Sequence, residues 1–485
     1  MAKSNTSSYV VTYELAFDND NPSSVLDKLE KIAKAIYNDC LNECLKRYYK
    51  LINDKEYQLL VKELKSANNK KELNKQLNDI ALSYGYSEYS MHEYVKKPYE
   101  YFNKKLGSQE CQKIATRAFK AIEKLRYHQA DKVNFKRKYD SFSIEGKSST
   151  SKLHYCDDVL AISYGNYKFK LKVKRNDIYA QTALLDEVKY VRIYPQHIRN
   201  KKRWFVQLIF KGTPPSKNRQ YGDNFKVQGI DIGTSTIAIV SNEKVYLKEL
   251  APNCKENEHK IKVYQRKLDR SRRATNPNNY NEDGTIAKGR HNWYKSKSYL
   301  NTQSKLKDEY RKLSVKRKQA HEILANQIIA ESLDIRVEEM NFKGLQKRSK
   351  KTTVNKNGKI NSKKRYGKTI KSRAPSMFLS ILDRKLKYYN LELKKINTYK
   401  VKASQYNPID RTHKKKQLKD RLIELNEGII VQRDLLSAYI IAHTNDDLET
   451  IDEESCYDDF NIFKKLQDNE IQRLKDNNKL SWYIH

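Results

Sequence analysis

Lys226-Val227-Gln228-Gly229-Ile230-Asp231-Ile232-Gly233-Thr234-Ser235-Thr236-Ile237-Ala238-Ile239-Val240 reads as a short apolar strand carrying one carboxylate, a turn of Gly, Thr and Ser, and a second apolar strand. A carboxylate inside an otherwise buried strand is costly to desolvate unless something pairs with it. A divalent cation is a natural partner, because hard cations take carboxylate oxygens. The plainer alternative is a strand whose Asp231 sits at an exposed end and feeds an ordinary hairpin. Which holds depends on whether the chain brings further carboxylates to the same place.

The whole chain bounds the answer. At 485 residues it is long enough for two to four domains, and 38% apolar content suffices for packed cores. No apolar run reaches membrane-spanning length, and the first residues lack the apolar core of a signal peptide. The expectation is a protein that stays in the cytoplasm where it is made, with no membrane partner. The net charge of +38, from 97 Lys and Arg against 59 Asp and Glu, is the strongest global feature. Such a charge favours a polyanionic partner, and nucleic acid suits it because phosphate contacts release counterions. A membrane surface is the rival polyanion, but no basic amphipathic anchor helix is evident. The six cysteines form no Cys-x-x-Cys pair. Cys40 and Cys44 continue the stripe of Val25, Leu29, Ile32 and Ile36, which predicts buried helix thiols and no zinc.

Residues 9–17 alternate as a strand, and residues up to about 135 read as a helical insertion. Within 136–213, Tyr167-Lys168-Phe169-Lys170-Leu171-Lys172-Val173 alternates strictly, with further strands at 188–193 and 204–210. A strand, helices, then strands predicts a small β-barrel interrupted by helices. Lys168, Lys170 and Lys172 make either a solvated face or a phosphate-facing one. Gly212-Thr213-Pro214-Pro215-Ser216 marks a linker. After the opening stretch, 245–250 gives a third strand. Residues 256–333 form a helical hairpin with a polar excursion at 275–284, and Arg266, Arg270 and Arg273 lie on its basic side. Ile335-Arg336-Val337-Glu338-Glu339-Met340-Asn341 is a strand ending in carboxylates. Residues 343–373 then hold thirteen Lys or Arg and no acid, among them Lys350, Lys351, Lys364 and Arg365. This reads as a mobile cationic lid beside a strand end, or as a disordered insertion. A helix from Met377, a strand at 391–396 and a basic loop-rich segment at 404–424, with Lys414, Lys415 and Lys416, follow. Gln432-Arg433-Asp434-Leu435 opens a helix with Asp434 in its first turn. Residues 446–459 hold eight acids and no Lys or Arg, before a closing amphipathic helix.

Asp231, Glu338 and Asp434 thus stand at element ends of one α/β layout. Strands one and four are neighbours in an RNase H-like sheet, with the last helix packed over them, so the three are expected to converge. Converging carboxylates suit two Mg²⁺ ions that hydrolyse a phosphodiester, and Mn²⁺ is an acceptable substitute. The order Asp, Glu, Asp is that of RuvC-like nucleases, whereas transposases of the Asp-Asp-Glu kind put the Glu last.

The segments Gly-Ile-Asp-Ile-Gly-Thr, Val-Glu-Glu-Met-Asn-Phe-Lys-Gly-Leu and Gln-Arg-Asp-Leu-Leu-Ser-Ala resemble the three RuvC motifs of TnpB proteins and of type V CRISPR effectors. Glu338, not Glu339, matches the family glutamate. The resemblance covers roughly residues 226–450. It implies a RuvC nuclease domain behind an N-terminal wedge barrel interrupted by a helical recognition domain. The wedge's first strand would fall at 1–20, the helical domain at 21–135, and the rest of the wedge with a linker at 136–225. The nuclease domain would span 226–400 and finish with its last motif and helix at 432–485. At 401–431 a basic target-binding segment replaces the family's zinc ribbon, whose cysteine pairs are absent. The resemblance further implies an RNA-guided DNA endonuclease. Its partners would be a guide RNA, from a transposon end or a CRISPR locus, and target double-stranded DNA beside a short flanking motif. The competing readings are a nuclease-inactive RNA-guided repressor, a junction resolvase and an RNA-independent transposase.

Overall fold

The structure is a computed structural model and describes residues 7–67, 70–215, 223–348, 352–354, 366–415, 420–477 and 479. The chain divides into two compact units, residues 1–217 and 218–485. Among the described residues no helix is long and apolar enough to cross a membrane.

In the first unit, strand β1 (Ser8–Leu15) is followed by six helices: α1 (Ser23–Ile52), α2 (Lys55–Ser66), α3 (Lys70–Ser83), α4 (Glu88–Tyr94), α5 (Lys96–Tyr101) and α6 (Ser108–Arg126). The remaining strands are β2 (Ile144–Glu145), β3 (Leu153–Cys156), β4 (Ala161–Tyr164), β5 (Tyr167–Lys172), β6 (Val188–Ile198) and β7 (Lys201–Lys211), with a short helix α7 (Ile178–Ala183) before β6. All seven strands form one sheet in the order β2-β6-β7-β1-β5-β4-β3. The sheet nearly closes on itself. A Cβ on Gly146, just past β2, would lie 2.9 Å from the carbonyl of Leu153 at the start of β3.

Polar clamps hold the helical insertion to this sheet. Glu30 of α1 accepts the Phe142 amide at 2.9 Å, and Lys202 of β7 reaches Asp27 and Glu30 at 2.5 and 2.6 Å. Cys40, Cys44 and Cys111 are buried between α1 and α6, and burial pushes the Cys44 thiol up to about 12. They pack as small hydrophobes. Ser24 and Asp27 have the spacing of a capping box, but Ser24 does not cap α1. That helix starts at Ser23 without a side-chain cap, and Asp27 is occupied by Lys202 and Trp204.

The second unit is built on five strands: β8 (Asp223–Ile232), β9 (Thr236–Val240), β10 (Val245–Glu249), β11 (Ser332–Glu338) and β12 (Lys394–Ile396). Their order is β10-β9-β8-β11-β12. The first three run antiparallel, while β11 is parallel to β8 and β12 to β11. Helices α8 (Lys255–Thr275) and α9 (Lys297–Glu331) form the hairpin between β10 and β11. Short α10 (Phe342–Leu345), α11 (Gly367–Arg373) and α12 (Pro375–Leu386) lie between β11 and β12. After α13 (Thr398–Val401) come two hairpins, β13 (Tyr406–Asn407) with β14 (Thr412–His413), and β15 (Leu422–Glu424) with β16 (Ile430–Gln432). Helices α14 (Arg433–Ala442), α15 (Glu453–Asp458) and α16 (Phe460–Asp476) complete the chain.

Strand alternation sorts this sheet into two faces. Ile230, Ile232, Ile335 and Val337 pack with α9 and α12 residues such as Ile328, Phe378 and Leu382. The opposite face, with Ala238, Val240 and Ile396, packs against Leu435, Ala438, Tyr439 and Ile440 of α14 and Phe463 of α16. Helix α14 is buried on every side from Asp434 to Ala442, as expected of a helix apolar all round.

Candidate active site

Gly229 sets the position of the last helix. A Cβ there would stand 2.1 Å from the carbonyl oxygen of Ala438 and 2.4 Å from the amide nitrogen of Ala442. Only a glycine lets α14 lie this close to β8. Asp231, two residues on, shares Gly229's face and therefore looks toward the start of that helix. On β11, Val337 pairs with Ile230, so the next residue, Glu338, falls on Asp231's side of the sheet. Asp434 enters from the first turn of α14, where the helix dipole favours an anion. The Gln432 side chain caps the helix by accepting the Leu435 amide at 2.8 Å.

The three carboxylates line a single cleft of 1570 Å³. Burial holds Asp231's carboxyl well above the ordinary range, and the charges of Asp434 and Glu338 push it the same way. The Arg433 guanidinium and the Ser437 hydroxyl act against this rise. Burial also raises Glu338. Glu339 is exposed and pairs with Lys395 at 3.4 Å, so the register puts only the first of the two adjacent glutamates in the cleft.

Two arginines stand among these acids. Arg433 donates to Asp434 Oδ1 from Nε at 3.1 Å and from Nη2 at 3.0 Å, and Arg421 Nη1 approaches Oδ2 at 3.4 Å. Among the described residues, no group of three or more His, Cys, Asp or Glu side chains is drawn together as a finished metal cluster. The donor chemistry nonetheless fits a hard divalent ion. Carboxylates are present without thiol or imidazole in the lining, and a carboxyl strained by like charges is one that a cation relieves.

Away from the carboxylates the cleft is basic. Lys262, Lys368, Lys371 and Lys415 line it and are exposed. Arg373 is buried, donating to the Ala251 carbonyl and Glu249 at 2.9 Å and lying 3.2 Å from Glu258. Two ends of the expected cationic lid are therefore ordered. Phe342 of α10 and Ile370 of α11 reach the core, and Arg373 is tied down by acids, so a loop throughout 343–373 is corrected here. The reason is that Leu345 and Ile370, near its two ends, pack with that core. Lys350, Lys351, Lys364, Arg365 and Lys416 lie outside the described residues.

The other expected contact residues are spread out. Lys168, Lys170 and Lys172 belong to the first unit, exposed on β5 with Phe169 and Leu171 buried beneath, and Lys172 pairs with Glu14 at 2.9 Å. Arg266 and Arg270 are exposed on α8 but do not line the cleft. Arg273 is committed to the hairpin's own tip, bonded to Asp269 at 3.0 Å and the Gly284 carbonyl at 2.8 Å, over the Tyr280 ring. The polar excursion there is a folded cap, pinned by Asn276 to the backbone of Tyr294.

Lys414 pairs with Asp410 at 3.1 Å, whereas Lys415 reaches the cleft. The basic segment before α14 is thus not merely loop. Asn426 links its two hairpins, donating to Asp410 at 3.2 Å and accepting from Asn407 at 3.4 Å. The Thr412 hydroxyl, followed by Lys414 and Asn426, holds Asp410's carboxyl well below the ordinary range.

Sequence reasoning missed Arg421, Arg433 and Gly229. Arg433 lay inside a quoted motif, and Gly229 was the unexplained first glycine of another. Arg421 gave no signal, because only the hairpin brings it to Asp434.

No protein-family model and no curated protein matches this sequence. Among solved structures, the chain is similar to a Cas12f1–sgRNA–target DNA complex at 12% identity, covering 91% of this chain and 99% of that one, with a TM-score of 0.48. A CRISPR-Cas12f ternary complex aligns at 13% identity over 88% and 82%, with a TM-score of 0.26. A Cas12i1 R-loop complex aligns at 11% over 94% and 65%, with a TM-score of 0.28. These likenesses are distant, and the functional reading rests on the cleft itself.

Proposed function

We propose that this protein is an RNA-guided DNA endonuclease whose single RuvC-like site is the cleft of the second unit. The observation that carries this is the meeting of Asp231, Glu338 and Asp434, from β8, β11 and α14 of a sheet ordered third-second-first-fourth-fifth, in one cleft. Two Mg²⁺ ions bound by these carboxylates would activate water and hold the leaving oxygen of a phosphodiester. The chain's own groups do the rest. Glu338 and Asp231 are held close by adjacent parallel strands, and the charge of Glu338 raises the cost of ionising Asp231. Arg421 and Arg433 neutralise Asp434 meanwhile. Lys262, Lys368, Lys371 and Lys415 attract the phosphate backbone into the cleft. Guide RNA and target double-stranded DNA are the partners a net charge of +38 suits. The two hairpins of 401–431 serve as a target-binding segment without zinc, and stoichiometric zinc in the pure protein would contradict that.

A binding-only, nuclease-inactive protein is the second reading, favoured by the two guanidinium groups that already occupy Asp434. The test is to sequence the RNA that copurifies with the full chain and present matching duplex DNA with Mg²⁺ or a chelator. Metal-dependent cutting should fall at least about a thousandfold in Asp231→Asn while DNA binding persists. Retained cutting by that variant sinks the catalytic assignment, and an inert wild type supports the binding-only protein.

A further inference from the structure

One aromatic side chain in the cleft has no part in the chemistry above. Tyr310 of α9 lines the same cleft as the carboxylates and keeps 36% of its surface exposed. Its hydroxyl accepts a hydrogen bond from Gln265 Nε2 of α8 at 2.9 Å. The Lys371 ammonium of α11 lies 5.6 Å from its ring centroid. Three separate elements therefore converge on one ring, which is oriented by a hydrogen bond and stays open to the cleft. A tyrosine needed only for packing would turn its face inward, as Leu313 does one turn later on the same helix at 7% exposure. Lys262 and Lys368 are exposed in the lining of the same cleft. An oriented, open ring flanked by ammonium groups is the arrangement that holds an unpaired nucleotide: the lysines take the phosphates and the ring takes the base.

We propose that Tyr310 is a positioning residue on which one unpaired base of the strand in the cleft stacks, whatever that base is, so that the backbone beyond it runs to Asp231, Glu338 and Asp434. This rests on the nuclease reading, but it is testable without any cutting. Stacking needs the ring and not the hydroxyl, whereas a purely structural link between α8 and α9 needs the hydroxyl. The two roles therefore respond oppositely to the same pair of variants.

The experiment uses the full chain carrying Asp231→Asn, which prevents turnover. Short single-stranded deoxyoligonucleotides carry 2-aminopurine at each position in turn. One position should be quenched on binding, Tyr310→Phe should keep that quench, and Tyr310→Leu should abolish it and weaken binding about 5- to 100-fold. An abasic nucleotide at that position should weaken binding to the Tyr310 protein by a similar factor and leave Tyr310→Leu unaffected. The abasic measurement needs no substitution at 310, so it decides the matter even if a variant folds poorly. Equal quenching in all three proteins, or an abasic site without effect, overturns the proposal. Absence of Mg²⁺-dependent cutting by the wild type, with the quench intact, would instead remove the nuclease reading alone.

Discussion

Strands β5 and β11 are both short, and in both of them charged and apolar residues alternate. On β5, Phe169 and Leu171 are buried and Lys168, Lys170 and Lys172 stand in solvent. On β11, Ile335 and Val337 enter one core, but the other face, with Arg336 and Glu338, is covered by α14. The same pattern thus yields a solvated charge row in one unit and a desolvated one in the other. Buried Arg336 must be paired, and it is, with Asp446 at 2.8 Å and Asp334 at 3.4 Å. Burial raises the carboxyls of Glu338 and its neighbour Asp231, the latter in spite of Arg433 and Ser437. Period tells which residues share a face, but the covering element decides whether that face is inert or reactive.

The largest break in this contrast is to lift the cover. Gly229→Ala forces a methyl to within 2.1 Å of the Ala438 carbonyl, a backbone atom that has no rotamer to escape into. The second unit should lose about 3 kcal/mol or more. At Gly233 the nearest atom to an added Cβ is the Thr236 hydroxyl oxygen at 3.2 Å, which can turn away, so Gly233→Ala should cost under about 1 kcal/mol. Denaturant unfolding of the two variants measures the difference. Equal losses would mean that α14 does not depend on its contact with β8.

This pair also shows what the sequence could carry. Asp231, Glu338 and Asp434 stood out because each ends an element with a clear period and a clear boundary. Gly229 carried no explanation in the sequence, since the helix that touches it comes some two hundred residues later in the chain and no local pattern encodes a close approach. Two hairpins in a segment read as loop went unseen for a related reason. Their strands are two or three residues long, too short for alternation to register, and side-chain links such as Asp410 to Asn426 join them. Arg373 sat in a run of cations and looked solvated, yet three acceptors around it make it part of the frame.

A smaller effect tests desolvation directly. Asp231's folded-state value lies above its unfolded one, so the folded chain keeps a proton that the unfolded chain has released. Stability contributed by this group is therefore present at low pH and lost as pH rises from about 4 through the raised value. Asp231→Asn has no such loss. In chelator its melting point should match wild type near pH 4 and exceed it by a few degrees at neutrality. Mg²⁺ should then raise the wild type toward the variant, because only the intact carboxylates bind it. A variant less stable than wild type at pH 7 without metal would show that Asp231 is not held against its charge.

The smallest change in stability belongs to β5, and it completes the contrast. Lys168 and Lys170 project from a strand whose buried face needs only Phe169 and Leu171, so converting both to Gln removes charge without exposing or burying anything. The melting point should move by less than about 0.5 kcal/mol equivalent. Binding of nucleic acid is where these residues should register. Each lysine that neutralises a phosphate contributes about 0.9 to the slope of log affinity against log salt, so the double variant should lose roughly 1 to 2 from that slope, uniformly across sequences. Lys172 serves as the internal control. Its ammonium already faces Glu14 at 2.9 Å, so Lys172→Gln should change the slope less than either neighbour. A slope untouched by the double variant would make the β5 row a merely solvated face, and the attraction of the polyanion would then fall to cations elsewhere, such as those along the cleft.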